Sequence, residues 1–423
     1  MTAADDDPVV VVGAGLAGLV AALRLGQAGR RVIVLAKGNG SIPLSGATID
    51  VLGYAPERVA HPQEAWAGFV AAHTDHPYAR LSLDAVAESL TWFKAQADGV
   101  RYVGDLGRNF LLPTALGGLK PSAVVPQTMA GGDLSGGGRV AVVGWPALKD
   151  FHAHLAAANL SRGRGEDGAI MARAVEIDVP TRSEADPGPL RLARWFDEPE
   201  YRAEVVRRLA PHLEDDEIVA MPAVLGFDSS ERAWEELEAV LERPVFEIPT
   251  LPPSVPGLRL FRTLKARLRA AGTRLVVGSA VASVETDGRR AVAVHAQTAG
   301  RTRRVAASAV VLATGGWAGG GLELDPSWRV RETVLGLPVA GVPAAGEPRF
   351  LPGYLDSHPL ARAGIAVDES FSPVDGDGTV VYDNVYAAGA LLAGAEPWRE
   401  KSGDGLSLAT GYRAAGSILE RQA

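Results

Sequence analysis

Residues Val9 to Lys37 read VVVVGAGLAGLVAALRLGQAGRRVIVLAK, and their order decides the fold. A short apolar run, Val9 to Val12, meets the glycine turn Gly13-Ala14-Gly15-Leu16-Ala17-Gly18. A segment of helical period follows to Ala28, and a second apolar run occupies Val32 to Leu35. Strand, glycine turn, helix and strand form the context in which G-x-G-x-x-G marks a dinucleotide or flavin site. Each glycine has its own task. Gly13 permits the tight turn, Gly15 lets backbone approach a phosphate, and Gly18 lets helix pack closely on strand. The helix N-terminus at Leu16 and Ala17 then offers free N–H groups and the positive end of its dipole.

The end of the second strand departs from the usual pattern. A site that holds adenosine places an acid there, about 20 residues beyond the glycines. This chain has Ala36 followed by Lys37. Either adenosine is held by other groups or the ligand has none. A monophosphate flavin needs the helix terminus and not the acid.

Composition narrows the classes. The chain has 423 residues, 47% hydrophobic and 22% charged, which predicts an ordinary globular protein of two domains. Net charge is −8 and no Lys/Arg block occurs, which argues against a nucleic-acid partner. The absence of cysteine excludes disulfides, iron–sulfur ligation by this chain, a thiol nucleophile and a covalent Cys–flavin link. No apolar run reaches the roughly 18 residues of a spanning helix. Asp5, Asp6 and Asp7 stand where a signal peptide carries positive charge. A cytoplasmic chain is expected, touching membrane only through a partner. No metal is expected either. His152 and His154 are two apart on a helix and face different ways, and His73 and His76 lack a third ligand at suitable spacing.

Along the chain, Gly38 to Thr48 reads as a loop that includes Ser45 and Gly46. Helix is predicted through much of 56–99, with Asp84 as N-cap. Gly117 to Gly138 reads as loop, Val140 to Gly144 as strand and Phe151 to Leu160 as helix. Trp195 to Leu241 is mostly of helical pattern, interrupted near Met221-Pro222. The prolines from Pro249 to Pro256 predict a stiff extended loop, followed by a helix from Leu258 to Ala271. Short strands are expected near 275–277, 280–285 and 291–297. A second glycine site ends the buried strand of VAASAVVLATGG at Thr314-Gly315-Gly316. A third lies at Asn384 to Gly389, and behind it Gly403, Gly405 and Leu406 open a helix to Leu419. The expected architecture is α/β. A Rossmann-like flavin-binding domain comprises 1–55, 135–165 and 257–423, with an inserted α+β capping or substrate domain from 56–134 and 166–256.

At this point the residues carry a resemblance. The N-terminal motif, VVLATGG, and the C-terminal GIAVDES, DNVYAAGALLAG and SGDGLSLATGYRAA resemble the fumarate reductase and succinate dehydrogenase flavoproteins. More narrowly, SGATIDVLGY from Ser45, DHPYA at 75–79, FHAHLAAANL at 151–160, EIPTLPPSVPGLRL at 247–260 and VLGLPV at 334–339 resemble the B subunits of anaerobic glycerol-3-phosphate dehydrogenases. That resemblance implies oxidation of sn-glycerol 3-phosphate to dihydroxyacetone phosphate, with electrons passed to the quinone pool. It implies FMN in this chain, FAD being the alternative. It also implies an FAD-carrying A subunit to which the substrate chemistry is usually assigned, an iron–sulfur, membrane-linking C subunit, and a place at the inner face of the cell membrane. Such a chain either dehydrogenates the substrate or relays electrons. A stand-alone FAD-dependent oxidoreductase acting on another substrate is the further alternative. Two departures stand out: Ala390 follows Gly389 where many superfamily members carry Glu, and the His/Arg set of dicarboxylate reductases is absent.

Oxidising an alcohol at a flavin requires a base for the hydroxyl proton, and a phosphate-bearing substrate requires cations. His358, Arg362 and Lys401 are the candidates near the C-terminal cofactor segment, with Arg413 and Arg259 behind them. Trp317, directly after the middle glycine site, is the aromatic residue expected near the cofactor.

Overall fold

The computed structural model describes residues 7–421; Asp5 and Asp6, named above, lie outside the described residues. Five strands form a sheet in the order Arg274–Val277, Val32–Ala36, Val9–Val12, Ala309–Leu312 and Val385–Ala387. Every neighbouring pair is parallel, and Val9 stands between Val32 and Ala309. The continuous apolar runs explain this: the central strands are buried on both faces, as a parallel sheet covered by helices requires. Chain order reverses across Val9–Val12, whose two neighbours come from its own βαβ unit and from far downstream. The crevice beyond the carboxyl ends at such a reversal is where open α/β sheets bind ligands.

Helix Leu16–Gln27 packs along the C-terminal helix Gly403–Arg421. Close approach depends on Gly411, where a Cβ would lie 2.3 Å from the Ala17 carbonyl oxygen. Arg24 reaches across, donating to the Tyr412 carbonyl with its guanidinium 3.5 Å from that tyrosine's ring centroid. An antiparallel meander, Ala280–Asp287, Arg290–Thr298 and Arg301–Ala306, fills the stretch before the fourth core strand. The run beginning at Val305 therefore splits between the meander's edge and the buried strand at Ala309–Leu312.

A second parallel sheet has the order Val245–Ile248, Glu217–Pro222, Gly138–Gly144 and Ile170–Glu176. It has its own core, with Trp145, Phe196 and Phe246 among its large side chains. This corrects three expectations. Strand Gly138–Gly144 and helix Ala153–Leu160, expected with the flavin-binding unit as part of 135–165, belong to the second sheet. Val140 to Val143 are fully buried and need a partner on each edge, which Ile170–Glu176 and Glu217–Pro222 supply. The interruption near Met221-Pro222 is an inner strand. Conversely, helices Pro62–Ala72 and Leu83–Gln96, expected in the insertion, bury Trp66, Phe69, Leu90 and Phe93 in the main core.

The cap of Leu83–Gln96 also differs. Ser82 accepts from the Ala85 N–H at 3.1 Å, and Asp84 lies in the first turn, where its charge favours the dipole. Ser82→Ala should lower stability by about 1 kcal/mol in urea unfolding, while Ser82→Asp should retain it.

Candidate flavin site

The three glycine sites converge on the crevice. Gly13 has φ +114°, and a Cβ there would lie 2.1 Å from the Ala313 carbonyl oxygen. Its N–H donates to the Leu35 carbonyl at 2.9 Å, and the Ala313 N–H donates to the Val12 carbonyl at 2.9 Å. A Cβ on Gly18 would meet the Gly13 oxygen at 2.1 Å, so the helix rests on the turn. The middle and third sites touch in the same way: a Cβ on Gly316 would lie 2.4 Å from the Ala390 oxygen. Gly389, with φ +74°, faces the Ala17 methyl and donates its N–H to Thr410 Oγ1 at 2.9 Å.

Gly15 differs from its neighbours. It has extended backbone, with φ −74°, and a Cβ there would meet nothing within 4 Å. Space therefore opens above the helix start, where the first N–H groups have no acceptor within the helix. At the middle glycine site, Thr314 Oγ1, which lies against Gly321, and Trp317 Nε1 are buried without a hydrogen-bond partner. Buried polar atoms of this kind ordinarily have partners. An open cradle and two orphaned polar atoms fit a phosphate-bearing flavin. Lys37 is exposed at the rim, and Ala36 before it is buried.

The loop from Ser45 packs on the start of the C-terminal helix. Ser45 Oγ donates to the Ile42 carbonyl at 3.0 Å and accepts from the Ala47 N–H at 3.2 Å. Gly46 packs against Pro249, where a Cβ would lie 3.1 Å from the proline ring. Ala47 has φ +63°, a left-handed conformation costing of order 1–3 kcal/mol for a non-glycine residue. Its carbonyl accepts from Tyr102 Oη at 2.8 Å. The Gly405 N–H donates to the Asp50 carbonyl at 2.9 Å, and a Cβ at Gly405 would lie 2.8 Å from that oxygen. Gly405 thus seats the C-terminal helix on this loop, next to Gly403 and the buried Leu406.

A cluster that the sequence did not suggest forms on this loop. Lys120 Nζ donates to Thr48 Oγ1 at 2.6 Å and to Asp50 Oδ2 and Oδ1 at 2.8 and 3.1 Å. Ser122 Oγ donates to Asp50 Oδ1 at 2.7 Å, and Thr48 Oγ1 does so at 3.0 Å. Asp404, on the first turn of the C-terminal helix, faces this pair. Burial, and then the Asp50 charge, push its carboxyl up to about 7, with Lys120 opposing. Asp50 and Lys120 lie 70 residues apart, so spacing could not pair them. The one signal was the SGATID stretch.

The chain matches the FAD binding domain family over residues 8–406. It is 32% identical to the probable B subunit of anaerobic glycerol-3-phosphate dehydrogenase from Halobacterium salinarum, over 98% of both chains. It is 31% identical to the B subunit of anaerobic glycerol-3-phosphate dehydrogenase from Pectobacterium carotovorum, over 97% of this chain and 98% of that one. The chain belongs to the family of anaerobic glycerol-3-phosphate dehydrogenase B subunits. Among solved structures, 3-ketosteroid delta1-dehydrogenase from Sterolibacterium denitrificans is similar over 98% of this chain and 99% of that one, at 13% identity and TM-score 0.47.

In this member of the B-subunit family the cationic candidates are already engaged. Arg259 is buried, pairs with Glu247 at 2.7 and 3.0 Å, and donates to the Gly226 carbonyl at 2.8 Å. Arg362 holds both Asp75 oxygens at 2.8 and 2.7 Å, and Arg413 holds Glu420 at 2.7 Å. Lys401 donates to the Trp398 carbonyl at 2.8 Å. His358 accepts from the Leu351 N–H at 3.1 Å and stacks on Trp398, ring centroids 6.1 Å apart. His73 and His76 diverge: His73 Nδ1 contacts the Phe69 carbonyl, and His76 Nε2 lies 3.2 Å from Glu400. Among the described residues, no helix is long and apolar enough to cross a membrane.

Proposed function

We propose that this chain is the flavoprotein subunit of an anaerobic sn-glycerol-3-phosphate dehydrogenase complex. It oxidises glycerol 3-phosphate to dihydroxyacetone phosphate, and the electrons pass to the quinone pool. The near-full-length kinship with chains named as B subunits of that enzyme carries this reading. Its partners are then an FAD-carrying A subunit and an iron–sulfur C subunit that links the assembly to the inner face of the cell membrane.

When bound, the flavin accepts two electrons and one hydrogen from the alcohol carbon. The residues of this chain bind and orient. The N–H groups from Gly15 to Ala17 would hold the phosphate at the positive end of the helix dipole. Thr314 and Trp317, with their unpartnered polar atoms at the middle glycine site, would line the cofactor.

The flavin we infer is FMN, because Ala36 and Lys37 supply no carboxylate for an adenosine ribose. FAD is the second reading, favoured by the description of the matched family. Heat release from the purified chain and chromatography of the flavin decide between them. FMN is the expected product. FAD would mean that other groups hold adenosine.

A further inference from the structure

Among the described residues, every tryptophan, tyrosine and phenylalanine that stands exposed lies in one area: Trp328, Phe350, Tyr354 and Trp398. Tyr354 is 90% exposed, and Leu355 beside it 71%. The rings form a chain. Trp328 meets Phe350 with centroids 6.4 Å apart, Phe350 meets His358 at 5.7 Å, and His358 in turn stacks on Trp398. Single exposed apolar residues need no explanation, whereas a contiguous patch marks an interaction site. The fold holds this one outward. His358 Nδ1 accepts from the Leu351 N–H and Nε2 lies 3.2 Å from the Tyr354 carbonyl, so both ring nitrogens tie down the loop that carries Tyr354 and Leu355. Trp328 has φ +62°, a conformation rare for a bulky residue. Asp325 fixes that turn by accepting from the Ser327 and Arg329 N–H groups at 2.8 and 3.0 Å.

Charge separates the candidate occupants. Between Leu322 and Arg362 there are four arginines, five acids and no lysine. An anionic bilayer surface selects a basic cluster, which this area does not have. Three of the arginines each hold a carboxylate: Arg329 pairs with Asp325, Arg331 with Glu323 and Arg362 with Asp75. Arg349 has no such partner among the described residues. Its guanidinium lies 5.1 Å from the centroid of the Trp328 ring, and its Nε is buried without a hydrogen-bond partner. An arginine among aromatic rings, with paired charges around it, is the composition of a protein–protein interface centre, and its missing counterpart is a carboxylate.

We propose that the aromatic patch around Arg349 is the surface on which a different protein subunit docks, one presenting an apolar face with a carboxylate for Arg349. This rests on the reading of the chain as one subunit of a complex. The patch borders the glycine sites. The Gly321 N–H, at the base of the hairpin that carries Trp328, donates to the Gly316 carbonyl at 3.1 Å. Trp398 lies on the short helix Pro397–Glu400, directly before Gly403. The docked subunit therefore stands beside the crevice proposed for the flavin.

The test uses the complex, purified through a tag on this chain from cells that also make its partner subunits. With the photo-crosslinker p-benzoylphenylalanine in place of Tyr354, irradiation should join that position to a different subunit. Arg349→Glu, and separately Tyr354→Ser combined with Leu355→Ser, should keep the wild-type unfolding midpoint and flavin content. Each should weaken recovery of that subunit by about 10-fold or more. Variants that assemble as the wild type does overturn the proposal. So does a cross-link only to a second copy of this chain, the lack of any cross-link, or binding to anionic phospholipid vesicles that the serine variant abolishes. In all these cases a wild-type complex that still assembles leaves the subunit reading standing. A wild-type chain that recovers no other subunit overturns that reading and the docking surface with it.

Discussion

Gly15→Ala folds as the wild-type chain does and loses flavin affinity, whereas Gly13→Ala loses several kcal/mol of folding stability. The two glycines stand two residues apart in one motif, yet their surroundings differ. At Gly13 the added Cβ lies 2.1 Å from the Ala313 oxygen, in a backbone conformation of φ +114°. Overpacking costs about 1–3 kcal/mol and strained backbone a similar amount. Their sum is of the order of 2–6 kcal/mol, set against a total stability of about 5–15 kcal/mol. The clash is with backbone just beyond the first and fourth core strands, so no side chain can rotate to relieve it. At Gly15 nothing stands within 4 Å, and the fold has no objection to a methyl group. The methyl occupies the place where a phosphate approaches the N–H groups. A loss of about 10- to 100-fold in flavin affinity, about 1.4–2.8 kcal/mol, is expected. Circular dichroism and flavin fluorescence titration of the two variants separate these effects.

The second large effect lies away from the crevice. Arg259→Ala should destabilise the chain by about 3–5 kcal/mol, because Glu247 is then left charged and buried. Both side chains are almost fully covered, 3% and 0% exposed. Glu247 also accepts from Thr128 Oγ1 at 2.8 Å and from the Leu225 N–H at 2.9 Å, so three segments join at this pair. Replacing both partners, as Arg259→Met with Glu247→Met, should recover much of the loss, since no charge is stranded. Denaturant unfolding of the single and double variants, combined as a mutant cycle, measures the coupling. Flavin affinity should stay near wild type in any variant that folds.

The fold around the crevice was legible because its signals are local. Gly13 to Gly18 lie within one βαβ unit, and the strand at Ala309–Leu312 and the helix at Gly403–Arg421 each announce themselves by an apolar or helical run bounded by glycine. What was not legible depends on partners distant in the chain. Val140 to Val143 form a strand on any reading, but nothing near them says that they pair with Ile170–Glu176 and Glu217–Pro222 rather than with the first sheet. Glu217–Pro222 itself reads poorly as a strand, since it starts on a glutamate and ends on a proline. Arg173 neutralises that glutamate at 2.6 Å, and the proline falls at the strand's last position. The same limit shaped the site. The glycines were found, whereas Lys120, Asp50 and Asp404 meet only through folding. Arg259 and Arg362 looked like free cations because their acidic partners, Glu247 and Asp75, lie on other elements.

Whether this chain oxidises glycerol 3-phosphate itself is decided by anaerobic addition of that substrate to the purified, flavin-loaded chain without partner subunits, following flavin absorbance. Bleaching of the oxidised flavin spectrum is expected, with dihydroxyacetone phosphate formed in equal amount. A flavin that stays oxidised with glycerol 3-phosphate yet bleaches with dithionite would contradict the proposed function, and would make the chain an electron relay or an oxidoreductase for another substrate.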